Sequence, residues 1–249
     1  MHSTRMAQIL ARVSAHWQGW LQLVPSQCAV CHAWPAQRIC HACAARFAAS
    51  QPRCSTCALQ LPAQAGVDAF LQCGTCLCQP PPLDACIAAV SYGYPWTQAI
   101  TQFKFQGDPG WAGALAALWQ NTPQVAASLA AADWLLPIPL SRQRLQARGF
   151  NQALLLARQL APDKTRADWL LRLHHTTEQS QLPRTQRLHN LRGAFAIEPL
   201  RQPQLQGARI VLVDDVMTTG ATLHAAALVL RRAGAAHITG LVVARTERS

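Results

Sequence analysis

One segment constrains this chain more than any other: Arg209-Ile210-Val211-Leu212-Val213-Asp214-Asp215-Val216-Met217-Thr218-Thr219-Gly220-Ala221-Thr222-Leu223. Its apolar start, Ile210 to Val213, is rich in β-branched residues and reads as a buried parallel strand. The run ends in two adjacent carboxylates, then hydroxyls and a glycine. A helical pattern from Ala221 to Arg232 follows, closed by Gly234. Gly220 and the first helical amides form an anion cradle at a helix N-terminus, with Thr218, Thr219 and Thr222 adding hydroxyl donors. Two acids beside a phosphate would repel it unless they face ligand hydroxyls or a divalent metal. A sugar phosphate meets both demands, with diol oxygens on Asp214 and Asp215 and the 5′-phosphate on the threonine–glycine loop. A solvated turn would need neither paired acids nor three threonines.

This segment resembles the phosphoribosyl-pyrophosphate (PRPP) binding motif of type I phosphoribosyltransferases. The resemblance implies that Asp214, Asp215, Val216, Met217, Thr218, Thr219, Gly220, Ala221 and Thr222 hold PRPP together with Mg2+. In the purine-salvage branch the third residue after the second acid is commonly an Asp that approaches the base. Thr218 stands there in this chain, so a purine substrate loses support. Other phosphate loops are excluded: there is no Gly-x-x-x-x-Gly-Lys-Ser/Thr and no Gly-x-Gly-x-x-Gly.

Ten cysteines fall between Cys28 and Cys86. Eight form four Cys-x-x-Cys pairs: Cys28/Cys31, Cys40/Cys43, Cys54/Cys57 and Cys73/Cys76. Such a knuckle presents both sulfurs to one ion, and two knuckles complete a four-thiolate zinc site, so two structural zincs are expected. Spacing does not choose between adjacent and interleaved pairing of the knuckles. Disulfides lack a secretory signal to support them, a redox Cys-x-x-Cys would not need four copies, and an iron–sulfur cluster is the remaining use of such thiolates. Cys78 and Cys86 read as spare or buried thiols. His32 and His41 each adjoin a ligand cysteine and are alternative ligands. Pro80-Pro81-Pro82 marks a hinge, dividing a double zinc-ribbon-like module (1–82, with an N-terminal helix) from a second domain (83–249).

From Asp84 onward the pattern alternates as in an α/β protein, with strands over Cys86–Tyr92, Trp134–Ile138 and His237–Ala244 and helices over Trp96–Phe103, Trp111–Gln120 and Phe150–Leu160. The implied architecture is a mostly parallel sheet flanked by helices, with ligands at the carboxyl ends of the strands. Two loops at such ends carry arginines: Pro137–Gln152, with Arg142, Arg144 and Arg148, and Thr176–Phe195, with Arg184 and Arg187. Residues 141–192 hold ten Arg and Lys against three acids, within a chain of formal net charge +11. Lys104 and Lys164 are the only lysines. The arginines suit pyrophosphate or nucleic acid; a GC-rich genome or a solvated loop face would also produce them. No run of about 18 apolar residues suggests a membrane span. Met6–Val24 reads as a packing helix rather than a signal peptide, and the cytoplasm follows as the default compartment.

Together these pieces resemble the ComF family of competence-associated phosphoribosyltransferase-like proteins, which includes GntX-type members. The resemblance runs through Phe103-Lys104-Phe105-Gln106-Gly107, Pro137-Ile-Pro-Leu140, Arg148-Gly-Phe-Asn-Gln152, Gln181 to Phe195 and the Asp214/Asp215 motif. It implies a type I phosphoribosyltransferase-like domain behind an N-terminal cysteine-rich zinc module. It also implies a role in DNA uptake, in natural competence or in using external DNA, with single-stranded DNA and DNA-uptake machinery proteins as partners. As an enzyme, the chain would bind PRPP or a ribose-5-phosphate ligand with Mg2+ and displace pyrophosphate, with Lys104, Arg142, Arg144, Arg148, Arg184 and Arg187 as pyrophosphate or DNA contacts. No residue stands out as a general base, and the nitrogen acceptor is unidentified. As a binding protein, it would hold single-stranded DNA, with Trp17, Trp20, Trp34 and Trp96 available to stack bases or to pack internally.

Overall fold

The computed structural model describes residues 26–62, 72–173 and 193–247. The expected helix Met6–Val24 with Trp17 and Trp20, and Arg184 and Arg187 with most of their loop, lie outside these residues. The chain forms two compact units, Met1–Arg46 and Phe47–Ser249. The boundary expected at 82/83 marks a change of sequence pattern, whereas this division follows packing. The second cysteine quartet belongs to the larger unit because Cys54, Cys57, Ala58 and Cys76 share one apolar cluster with Leu83, Cys86, Leu212 and Leu223. Pro80-Pro81-Pro82 runs inside that unit.

In the smaller unit, Ser26 and Ala36 exchange backbone hydrogen bonds of 2.8 and 2.7 Å around the first knuckle. Helix α1 (His41–Phe47) starts directly after Cys40.

The larger unit adds helices α2 (Gly74–Cys78), α3 (Trp96–Phe105), α4 (Trp111–Ala117), α5 (Pro123–Ala131), α6 (Arg142–Arg148), α7 (Gln152–Leu160) and α8 (Ala221–Arg232). Its strands are β1 (Ala85–Ser91), β2 (Trp134–Pro137), β3 (Leu170–Arg172), β4 (Phe195–Ile197), β5 (Arg209–Met217) and β6 (His237–Arg245). Four of these form a parallel sheet in the order β1-β6-β5-β2. Val213 sits in register with Leu241 on one side and Pro137 on the other.

Helices cover both faces of this sheet, which explains why its strands read as continuous apolar runs. On one face Ile210, Leu212, Ile238 and Val242 pack with Leu223, Ala226 and Leu230 of α8. The alternate residues Val211, Val213, Leu241 and Val243 point the other way and are equally buried; α7 packs over β5 and β2. Gly240 leaves room for the neighbouring strand, since a Cβ there would lie 3.2 Å from Cys86 Sγ. Burial pushes the Cys86 thiol up to about 12, so it is an inert core group, while Cys78 is exposed.

Three departures from the sequence reading bear on the site. Strand β5 does not stop at Val213 but continues through both acids to Met217, because β6 supplies partners as far as Arg245. The arginine loop after β2 contains helix α6: Ser141 Oγ accepts the Arg144 amide at 3.4 Å to start it, and Gly149 ends it in the left-handed region at φ 77°. Strands β3 and β4 pair antiparallel, Leu170 with Ile197 and Arg172 with Phe195. At three residues each, they are too short for a periodic signal. Among the described residues, no helix is long and apolar enough to cross a membrane.

Candidate functional site

The cysteines gather into two quartets, Cys28/Cys31/Cys40/Cys43 and Cys54/Cys57/Cys73/Cys76, with all sulfurs of each within 4.8 Å of one another. Knuckles that are adjacent in sequence thus pair, and neither His32 nor His41 belongs to a quartet. The Cys31–Cys40 and Cys57–Cys73 sulfur distances are 3.6 and 3.7 Å. Four thiolates about 2.3 Å from a tetrahedral ion stand roughly 3.8 Å apart, so each quartet can hold a metal ion and is consistent with zinc. Backbone amides help to carry the charge: Cys40 N donates to Cys28 Sγ at 3.4 Å and Cys73 N to Cys54 Sγ at 3.2 Å. Burial alone would raise both acceptors, but the amides around them bring Cys28 down to about 6 and Cys54 to about 7. Burial, with a second thiolate nearby, pushes Cys43 up to about 12 and Cys57 up to about 11. Filling either quartet with thiolates therefore requires a cation between them.

At the carboxyl end of the sheet, β5 presents Asp214 and Asp215 on alternate sides. Lys104, in the last turn of α3, places Nζ 3.0 Å from Asp215 Oδ1, whose side chain is largely buried. Asp214 is half-buried and accepts the Asp215 amide at 2.9 Å. Burial pushes its carboxyl from 3.8 up to about 7. The Asp215 carboxylate adds to the rise, against an opposing pull from Lys104, the Asp215 amide and Arg172. Arg172, at the end of β3, donates to Pro139 O at 3.5 Å and lies 5.3 Å from the centre of the Phe195 ring. Burial lowers its pKa, as does the nearby Arg144. Lys104 and Arg172 thus act on the paired acids, and Arg144 acts on Arg172. Sequence reasoning proposed Lys104 and Arg144 and missed Arg172, which the hairpin delivers.

Two of the motifs interlock and hold Lys104 in place. Phe103 is fully buried against Phe150, ring centres 5.7 Å apart. Buried Gln152 donates to Phe103 O at 3.4 Å and accepts from Arg148 at 3.2 Å. The Arg148 guanidinium lies 5.2 Å from the ring centre of exposed Phe105. Asn151 caps α7 through the Leu154 amide at 3.3 Å and donates to Ile138 O at 3.0 Å. Gln152 and Arg148 therefore support the end of α3, Asn151 ties the start of α7 to the chain after β2, and Arg142 is exposed on α6. Trp96, available either to stack or to pack, is 2 % exposed and donates to Phe47 O at 3.0 Å, so it packs internally; Trp34 is 67 % exposed.

Between β5 and α8 the chain turns through Thr218, Thr219 and Gly220. Gly220 takes φ 83°, and a Cβ there would lie 2.5 Å from Met217 Cε. Only glycine fits this position without strain. Thr219 Oγ1 accepts the Ala221 amide at 3.3 Å. The carbonyls before the turn are held by Arg245: Nη1 donates to Met217 O at 3.1 Å and also to Thr218 O. Arg245 is 4 % exposed, although from sequence it reads as an ordinary arginine at a chain end. An arginine closing an apolar parallel strand was the available signal.

Residues 145–248, which carry β5, β6 and the turn after Asp214 and Asp215, match the model of the phosphoribosyl transferase domain. The chain is also similar to the DNA utilization protein YhgH of Salmonella typhimurium, 33% identical over 90% of this chain and 98% of that protein. Competence protein F of Haemophilus influenzae is 32% identical over 76% of this chain and 82% of its own length. Competence protein ComFC of Bacillus subtilis is 34% identical over 63% and 62%, respectively. The fold and site thus define a protein with a phosphoribosyltransferase-type domain and a cysteine-rich N-terminal part. Within that class, the chain belongs to the ComF family of competence and DNA-utilization proteins.

Proposed function

We propose that this chain binds PRPP, or a related ribose-5-phosphate ligand, as its Mg2+ complex, and uses that site in handling single-stranded DNA during DNA uptake or utilization. The observation that carries the reading is the adjacent pair Asp214 and Asp215, with Lys104 bridged to Asp215, at the carboxyl edge of a parallel sheet shortly before the Gly220 turn. Ligands of such sheets collect at this edge. The turn supplies amides to a 5′-phosphate, the carboxylates accept ribose hydroxyls, and Lys104 and Arg172 offset pyrophosphate charge. Mg2+ is a hard cation held by one or two carboxylates and ligand phosphates, and the half-buried Asp214 suits that use. The quartets would hold two zinc ions in a compartment that keeps thiols reduced, in keeping with ten free cysteines. DNA and proteins of the uptake machinery are the partners that the names of the relatives suggest.

Calorimetric titration of PRPP–Mg2+ against the full chain, with and without single-stranded DNA, tests this reading. Saturable PRPP binding that Asp214→Asn removes supports it. No binding at millimolar PRPP overturns it. The match to a transferase domain favours a second reading, in which a nitrogen nucleophile attacks the ribose anomeric carbon and pyrophosphate leaves. Lys104 and Arg172 would then neutralise the departing charge. Release of pyrophosphate with a nitrogenous acceptor distinguishes this activity from binding alone.

A further inference from the structure

The buried guanidinium of Arg245 does more than close a strand. Its Nε donates to Cys57 O at 2.8 Å, and its Nη1 reaches Met217 O at 3.1 Å, Thr218 O, and Thr246 O at 2.6 Å. One side chain thus joins a carbonyl of the second cysteine quartet to the two carbonyls that open the phosphate turn. These four acceptors are all backbone oxygens, so the cost of burying the charge is offset only while those carbonyls stay aimed at it.

Further contacts run the same way. Cys86 N donates to Ser55 O at 2.8 Å, and Cys86 Sγ lies 3.5 Å from Met217 Sδ. Arg53 donates to Ala58 O at 3.0 Å, to Glu247 Oε1 at 2.9 Å and to Ser91 Oγ at 2.7 Å. Glu247 Oε2 in turn accepts the Gln60 amide at 3.0 Å. Thr246 N donates to Met217 O at 3.0 Å. The turn 54–60 is therefore tied to the carboxyl ends of β1 and β6 and, through Met217, to the packing beneath Gly220.

We propose that Arg245 is a positioning residue through which metal occupancy of the Cys54/Cys57/Cys73/Cys76 quartet sets the shape and anion affinity of the Thr218–Thr222 turn. This rests on the assignment of that turn as the phosphate site. A bound cation fixes Cys54 and Cys57 together and so aims the Cys57 carbonyl. Without it, nothing holds the four sulfurs within 4.8 Å of one another, the knuckle relaxes, and Arg245 loses its Nε acceptor. Thr218 O is then free to rotate and the amides after it lose their common direction. By linkage, a ligand on the turn strengthens metal binding at the quartet by the same factor.

Hydrogen–deuterium exchange across residues 216–224 of the full chain tests this without any ligand. Exchange there should rise by about tenfold, an ordinary size for coupling between sites, in Cys73→Ser and in Arg245→Gln. Residues 152–160 of α7 should stay protected, which shows that the unit remains folded. Cys40→Ser in the other quartet should leave 216–224 unchanged. Since Cys73→Ser could unfold the unit, a chelator competition on Arg245→Lys and Arg245→Gln provides an independent measure. The metal of the second quartet should be withdrawn more readily from both variants, with that of the first unaffected. In the wild-type chain, PRPP–Mg2+ should slow withdrawal from the second quartet, and Arg245→Gln should remove that protection. Unchanged exchange in Arg245→Gln together with unchanged metal affinity overturns the proposal. Failure of PRPP to bind, with exchange still coupled to the metal, overturns the ligand assignment and leaves the coupling standing.

Discussion

The two cysteine quartets have the same ligands, the same knuckle spacing and nearly the same sulfur separations, yet they do different structural work. Cys28/Cys31/Cys40/Cys43 lies in the small unit Met1–Arg46, whose described part offers few large apolar side chains. A metal bound there would replace a hydrophobic core. Cys54/Cys57/Cys73/Cys76 is set into the apolar cluster of the larger unit, beside Leu83, Cys86 and Met217, and its Cys57 carbonyl accepts from Arg245 at the end of β6. Motif spacing reports the chemistry of a centre. Its mechanical role depends on what packs around it.

The largest effects should come from breaking the two quartets separately. Cys76→Ser removes a 5 % exposed thiol from the larger core and its metal with it. Loss of a metal site is among the few single changes that cost more than about 4 kcal/mol. Thermal unfolding of the larger unit should shift accordingly, and metal content should fall by one ion per chain. Cys28→Ser should cost one ion as well, leaving the melting of the larger unit unchanged. Equal shifts from the two substitutions would erase the contrast.

Next in size is the effect of the acids. Asp214→Asn and Asp215→Asn should each abolish PRPP–Mg2+ binding by calorimetry while preserving the fold and both metals. The two positions differ in a way that pH exposes. Protonated Asp214 favours the folded chain, since burial pushes its carboxyl from 3.8 up to about 7. That stabilisation is complete below the lower value and is lost as pH rises through the higher one. Asp214→Asn should therefore flatten the stability curve between about pH 4 and pH 7, whereas ligand affinity in the wild-type chain should increase as Asp214 ionises near pH 7. An unchanged slope in Asp214→Asn would mean the carboxyl is better hydrated than its surroundings indicate.

Much of this was legible in the sequence. The apolar runs 210–213 and 238–244 became neighbouring buried strands because a parallel sheet covered on both faces leaves no alternation to hide. The knuckles were legible as the cysteines that gather into two groups able to hold a metal ion. Local patterns could not show that the second quartet packs into the larger core, because that depends on contacts with Leu212 and Leu223, more than a hundred residues away. The same holds for Arg172, carried by a three-residue strand, and for Arg245, whose role appears only when Cys57 and Met217 meet across the strand ends. The arginine motif around residue 148 was visible as a motif, but half of it turned out to hold α3 in place.

The smallest expected effect concerns DNA, and it asks which unit meets the phosphates. If Arg142, Arg144 and Arg148 of the larger unit contact single-stranded DNA, removing all three should flatten the dependence of log K on log salt by roughly two units, at about 0.7 for each lost contact. The control must use exposed arginines without structural duties. Arg158, Arg201 and Arg232 qualify by exposure, whereas Arg231 is paired with Asp84 and Arg245 is buried. Trp34, exposed in the smaller unit, provides the opposite signature: Trp34→Ala should weaken binding by about 1–3 kcal/mol through lost stacking and leave the salt slope intact. A flattened slope from the arginine triple alone would place the phosphate track on the larger unit. Equal flattening from the control triple would reduce the arginines to a diffuse basic surface, since general charge loss does not depend on position. An unaltered slope in both, with binding still lost in Trp34→Ala, would assign the DNA to the smaller unit and leave the α6 arginines to pyrophosphate.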